Sequence, residues 1–189
     1  MKRLTTLGCL FLLLTSFVWK TDWNQDKAHS ELSFSVKHLG VSTVTGFFTD
    51  FDAKIVSNKD DFSDAYFEME ARTNSVNTRV DMRDKHLRSA DFFDVEKYPT
   101  MTFKSTSVKK GKKKTLLVTG DLTLAGVTKS ITLTLKPNGK ITNQQSGKET
   151  AGFDVEGSLK RSDFNFGSKF GETMISDVVQ LRASGEFTK

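Results

Sequence analysis

The chain has 189 residues, 28 of them Lys or Arg and 23 Asp or Glu, for a formal net charge of +5. That length suits one domain with a core that needs no staples, and charges of both signs are interspersed, which argues against a nucleic-acid surface. The single cysteine, Cys9, lies so near the start that a processed chain has no disulfide, thiolate metal site or thiol chemistry.

Lys2 and Arg3 precede an apolar stretch from Leu7 to Leu14, and Leu14-Thr15-Ser16 offers a small residue for cleavage. This is the pattern of an export signal, and the run is too short for a membrane span. The expectation is a signal peptide over 1–16, removed, and a mature domain over 20–189 in the periplasm or secreted. Leu7-Gly8-Cys9 faintly resembles a lipoprotein acylation site. Most of the apolar segment follows the cysteine, however, which disfavours an anchor.

Beyond Trp23 the chain alternates apolar and polar with period two, the signature of half-buried strands. The first predicted strand, His29 to His38, puts Leu32, Phe34 and Val36 on one face. A second run spans Ser42 to Val56, with a change of side that predicts a bulge near Asp50. The third, Asp64 to Arg72, carries Ala65, Phe67, Met69 and Ala71 on one face. Alternation then stops. Thr78-x-x-Asp81 has the form of a capping box opening a short helix, with Val80 and Leu87 on its inner side. Further strands are predicted over Thr100–Val108, Leu116–Leu124, Val127–Lys136, Thr150–Leu159 and Asp177–Phe187, with a loop from Lys160 to Ser176 before the last. Only two prolines occur, both placed at turns or strand starts, as ladders require. The fold class is therefore all-β: an extended eight-stranded antiparallel β-barrel, lipocalin-like, with a short helix after the third strand.

Sixteen phenylalanines stand against two tyrosines and two tryptophans. Phenylalanine has no polar group to satisfy, so it suits a wall that faces hydrocarbon. The inward face collects Phe34, Val36, Phe67, Met69, Met101, Phe103, Leu116, Val118, Leu122, Ile131, Leu133, Phe153, Val155, Leu181 and Phe187. Small residues among them (Gly46, Ala65, Ala71, Gly120, Gly157, Ala183, Gly185) either thin the wall around open volume or let strands bend. Pattern alone leaves a filled core and a hollow one both open.

Motifs for hydrolysis or phosphate cradling are missing from the sequence. His29 and His38 fall on opposite faces of a regular strand and His86 lies in the helical segment, so a histidine metal site is not expected. Asp81, Asp84, Asp91 and Asp94 alternate with Arg79, Arg83, Lys85 and Arg88, as a surface ion-pair network would. The lysines between 109 and 114 surround Gly111 without aromatics and read as a solvated hairpin tip. Asp163-Phe164-Asn165-Phe166-Gly167 reads either as a bend aiming a polar group at a ligand or as a turn packed on its aromatics.

Several motifs, in order along the chain, resemble one family. They are His29-Ser30-x-Leu32-x-Phe34-x-Val36-x-His38-Leu39-Gly40, Val44-Thr45-Gly46-Phe47-Phe48, Arg83-Asp84-x-His86-Leu87-Arg88-Ser89-x-Asp91-Phe92-Phe93, Tyr98-Pro99, Val118-Thr119-Gly120-Asp121 and Arg161-x-Asp163-Phe164-x-Phe166-Gly167. The chain resembles the YceI-like polyisoprenoid-binding proteins over essentially its whole mature length. The resemblance implies a lipocalin-like barrel around an apolar tunnel that holds an isoprenoid or fatty-acyl lipid, in exported bacterial proteins. By motif it implies tunnel roles for Phe34, Phe48, Leu87, Phe92, Phe93, Phe103, Phe164 and Phe166, and a rim or head-group role for His38, His86 and Asp163. No catalysis and no cofactor beyond the lipid ligand is implied. The membrane would be the lipid's reservoir and a transient contact, and edges at the barrel mouth leave room for a homodimer. Ser168-Lys169 departs from the aliphatic residue common in the family after this glycine.

Overall fold

The computed structural model describes residues 21–189, so the expected signal peptide over 1–16 and Cys9 lie outside the described residues. Ten strands follow in chain order: β1 (Asp22–His38), β2 (Ser42–Phe48), β3 (Phe51–Val56), β4 (Tyr66–Arg72), β5 (Val76–Asn77), β6 (Thr100–Lys110), β7 (Leu116–Leu124), β8 (Val127–Thr142), β9 (Glu149–Lys160) and β10 (Val178–Thr188). One helix, α1 (Asp81–Arg88), separates β5 from β6, and 3₁₀ turns occupy Thr73–Ser75 and Arg161–Phe164. Eight strands close an antiparallel ring in the order β1-β3-β4-β6-β7-β8-β9-β10, with β10 returning to β1. The two short strands β2 and β5 extend the sheet at one end.

The eight-stranded barrel is thus the one expected, but its second wall is broken. The run from Ser42 to Val56 is two strands, because the chain bends at Thr49–Asp50. β2 pairs with the C-terminal half of β1, Ser33 to His38, whereas β3 pairs with its N-terminal end, Asp22 to Asn24. Ser75 holds the bend: Thr49 N–H donates to Ser75 O at 3.2 Å and Asp50 N–H to Ser75 Oγ at 3.1 Å. By count, the helix therefore follows β4 and β5 and not the third strand.

Two further expectations are corrected. Pro137 is not outside a strand, since β8 runs through it to Thr142. It is tolerated because the ladder to β9 slips between Pro137 and Gly139, so its missing N–H interrupts nothing. Nor does Thr78 cap α1 as expected. Val80 is the N-cap residue and is exposed. The bond runs the other way, with the carboxylate of buried Asp84 accepting the Thr78 N–H at 2.8 Å and its hydroxyl. The lysine segment is a hairpin tip, with Gly111 N–H donating to Thr115 O at 2.8 Å between β6 and β7.

Interior packing follows the period-two pattern. In β7 the inward residues Leu116, Val118, Gly120, Leu122 and Leu124 are buried in strict alternation. Trp23, Phe62, Phe153 and Phe187 plug one end, with successive ring centroids 5.2, 4.8 and 5.8 Å apart and edge-on geometry. Such pairs contribute about 0.5–1.5 kcal/mol each beyond their buried area.

Candidate functional site

The barrel interior holds two adjoining apolar chambers. The inner one, of about 160 Å³, is walled by side chains of Phe51, Ile55, Phe67, Met69, Phe103, Leu122 and others, and it ends at the plug residues Phe153 and Phe187. The outer one, of about 340 Å³, lies between β1–β2, α1, the segment through Phe92–Phe93 and the loop over 161–177. Leu32, Met101, Leu159 and Leu181 border both, so they form the waist between the two.

A second aromatic cluster surrounds the outer chamber. Phe48 stands 5.8 Å from Phe34 and 5.5 Å from Phe93, and Phe93 lies 4.7 Å from Phe166. Phe92 stacks nearly parallel on Phe170 at 5.1 Å, and His86 meets both edge-on. The described phenylalanines thus gather largely at the closed end and around the outer chamber.

Two of the wall glycines lie directly against aromatic rings. A Cβ on Gly46 would lie 2.4 Å from Phe34 Cζ, and one on Gly120 would lie 2.5 Å from Phe103 Cζ. At these two positions the missing side chain leaves room for a ring packed directly against the strand backbone.

The 161–177 loop is organised by one buried cation. Arg161 is 5% exposed. Its guanidinium donates to five carbonyl oxygens: Gly167 at 2.8 Å, Ile175 at 3.1 Å, Phe166 at 3.2 Å, Ser176 at 3.3 Å, and Phe170. The planar fork of arginine suits this many acceptors, and a buried charge must be so satisfied. Gly167, at φ +60°, lets the loop pass against Phe92, where a Cβ would fall 2.6 Å from the ring. Lys169 and His86 then share Asp91: His86 Nε2 lies 3.3 Å from one carboxylate oxygen and Lys169 Nζ pairs with the other. Lys169 first, then His86, hold the Asp91 carboxyl below the usual carboxylate range.

Of the residues singled out from the sequence, Phe34, Val36, His38, Phe48, His86, Leu87, Phe92, Phe93 and Phe166 line the outer chamber, and Met101 sits at the waist. Phe67, Met69, Phe103, Leu122 and Phe153 line the inner one. Two do not reach either cavity. Phe164 is buried beside the chamber, and Asp163 is exposed, because the 3₁₀ turn over Arg161–Phe164 sends residues 161 and 164 inward and 163 outward. Val80, expected inside, is likewise exposed. Sequence reasoning missed Phe170, Ile175, Arg83 and the role of Arg161. The charge of Arg161 is answered by loop carbonyls, so no acidic partner in the sequence points to it.

His29 makes a separate contact on the outer surface. Its Nδ1 lies 2.9 Å from Asp26 Oδ2, and these two with Glu186 place three potential metal ligands within 4.8 Å of one another. Asp26 and His29 already satisfy each other, and the second Asp26 oxygen accepts the Ala28 N–H at 2.9 Å.

Fold and cavity together define a closed antiparallel barrel with a hollow apolar interior, of the lipocalin-like class. Residues 23–187 match the model of the YceI-like domain. The chain is 43% identical over 183 residues to Protein YceI of Salmonella arizonae, covering 96% of this chain and 93% of that protein. It is 36% identical over 172 residues to a UPF0312 protein of Staphylococcus aureus, covering 89% and 98%. This chain belongs to the YceI-like family. Among solved structures, a Campylobacter jejuni YceI protein is similar with TM-score 0.73 and 32% identity, covering 98% of this chain and 99% of that one. A polyisoprenoid binding domain from Saccharophagus degradans, implicated in plant cell wall breakdown, shares the fold at TM-score 0.64 and 19% identity, covering 89% and 98%.

Proposed function

We propose that this protein binds one long apolar lipid, a polyisoprenoid, isoprenoid quinone or fatty-acyl chain, and carries or sequesters it outside the cytoplasm. The observation that carries this reading is the pair of adjoining chambers, walled by Phe, Leu, Ile, Val and Met from the outer opening to the aromatic plug. The outer chamber alone falls within the usual range for ligand sites, roughly 300–1,000 Å³. Fold likeness to a polyisoprenoid binding domain supports the ligand class. The signal-like sequence over 1–16 supports a place in the periplasm or the medium, with the membrane as reservoir.

Binding, without bond cleavage, is the chemistry we assign. His38 and His86 border the outer chamber, but Asp163, the acid expected beside them, faces solvent. His86 is instead engaged with Asp91 and two aromatic rings.

Chain length tests the proposal. Each buried methylene contributes about 0.8 kcal/mol, close to fourfold in affinity. Binding to the delipidated protein should therefore tighten along a series of fatty acids and level off when the chain end reaches Phe153 and Phe187. Met101→Trp fills the waist and should move that plateau to shorter chains. Affinity indifferent to chain length, or a plateau unmoved by M101W, would contradict a chain threaded through both chambers.

A further inference from the structure

One stretch of the barrel wall is not held by a ladder. Between β1 and β3 the pairing covers only Asp22–Asn24 against Lys54–Val56, and β1 next pairs on that side at Ser33, with β2. On its other side the register to β10 jumps from Asp26↔Glu186 to Glu31↔Ser184. Residues 27–30 therefore belong to neither ladder.

Local side-chain bonds hold them instead. Asp26 gathers the stretch: its Oδ1 accepts the Ala28 N–H at 2.9 Å, its Oδ2 lies 2.9 Å from His29 Nδ1, and its carbonyl accepts the Ser30 hydroxyl at 2.6 Å. Two side-chain contacts bridge the gap to β3. Gln25 Oε1 accepts the Ala53 N–H at 2.8 Å, and Lys27 Nζ meets Asp52 Oδ1 at 2.6 Å. Neither is a firm closure. The Lys27–Asp52 pair is exposed, and such pairs contribute little. Gln25 Nε2 is buried without a partner among the described residues, an unsatisfied donor that favours any motion bringing it to water.

The gap lies against the inner chamber. Ser30, Glu31 and Leu32 on one edge and Phe51, Ala53 and Lys54 on the other all line that cavity. Along the barrel axis the same cavity is stopped by Phe153 and Phe187, with Phe62 packed behind Phe153. A chain that fills the chamber and continues must turn sideways. Passing between β7 and β8 would break an uninterrupted ladder from Leu116 to Leu124. Passing between β1 and β3 displaces one side-chain hydrogen bond and one exposed ion pair.

We propose that this stretch is a side exit: the far end of an isoprenoid or acyl chain longer than the interior leaves the inner chamber between residues 27–30 of β1 and 51–53 of β3, with Gln25 and the Lys27–Asp52 pair as the catch. This rests on the lipid-binding reading and extends it, because long chains are then accepted with their excess outside instead of being refused at the plug.

The test uses two fatty acids carrying a terminal diazirine on the delipidated protein, one shorter than the length at which affinity levels off and one well beyond it. After irradiation, mass spectrometry of the digested protein locates the label. The short probe should mark interior residues such as Phe67, Phe103 and Phe153. The long probe should mark the exposed residues Lys27, Ala28, His29 and Asp52. Lys27→Gln removes the exposed ion pair and should speed release of the long probe by up to about fivefold, with release of the short probe unchanged. A long probe that marks only the plug residues, or the mouth residues 39–41 and 161–177, would overturn the side exit and leave lipid binding standing. So would release of the long probe unmoved by K27Q. Failure of both probes to bind would remove the lipid-binding reading itself.

Discussion

Replacing Arg161 by methionine removes the group on which the mouth loop hangs. The side chain keeps an unbranched apolar stem, ends short of the guanidinium and leaves five carbonyl oxygens without their donor, and Arg161 is 5% exposed, so water does not take its place without local opening. Hydrogen bonds to a charged group contribute about 1.5–3 kcal/mol each. They are not additive here, because a freed loop relaxes and rehydrates its carbonyls. The cost is therefore bounded by what breaking a buried charged arrangement costs, about 3–5 kcal/mol. For a domain of this size that corresponds to a Tm lowered by roughly 10 °C. Arg161→Lys keeps the charge with three donors in place of five and should fall between the two. Thermal unfolding gives the totals, and hydrogen exchange locates the effect, which should concentrate in residues 161–177. A Tm within 2 °C of wild type for R161M, or exchange raised evenly around the barrel, would refute the idea that this cation organises the loop.

Other consequences can be checked as directly. Gly46→Val puts side-chain atoms where the Phe34 ring now lies, since even a Cβ falls 2.4 Å from it; the ring must swing into the outer chamber, and lipid capacity should drop with a destabilisation of about 1–3 kcal/mol. Unchanged capacity would show that Phe34 has room elsewhere. His29 should titrate above 6.5, because the Asp26 carboxylate accepts from it and attracts its charge, with Glu186 adding to the attraction. A pKa raised on folding means the pair's contribution is complete below the ordinary histidine value and is lost as pH rises through the raised one. NMR titration should show that midpoint return toward 6.5 in Asp26→Asn, and a wild-type midpoint at or below 6.5 would contradict the pairing.

Most of the barrel was legible because its strands are half-buried and antiparallel, so inside and outside are written residue by residue, as in Leu116–Leu124. The failures have local causes. The bend at Thr49–Asp50 is held by Ser75, 25 residues away, and nothing in the period-two pattern distinguishes it from a bulge. Pro137 sits within a strand because a neighbouring strand accommodates the slip, which is information about β9, not about Pro137. Cavity residues on regular strands were found from alternation. Those on the 161–177 loop were not, because a 3₁₀ turn follows neither period: Phe164 and Asp163 share a motif with Phe166, yet only Phe166 lines the chamber. Arg161 escaped for a related reason, since its partners are backbone carbonyls and leave no complementary residue in the sequence.

The central claim, that the hollow interior holds one lipid, is tested most directly by a native mass spectrum of the purified protein, followed by organic extraction and identification of what is released. The account predicts a one-to-one hydrophobic adduct of defined mass that disappears on extraction and returns when the lipid is added back. A bare protein that takes up neither added quinone, polyprenol nor fatty acid would contradict it, and the chambers would then be packing voids of an unliganded barrel.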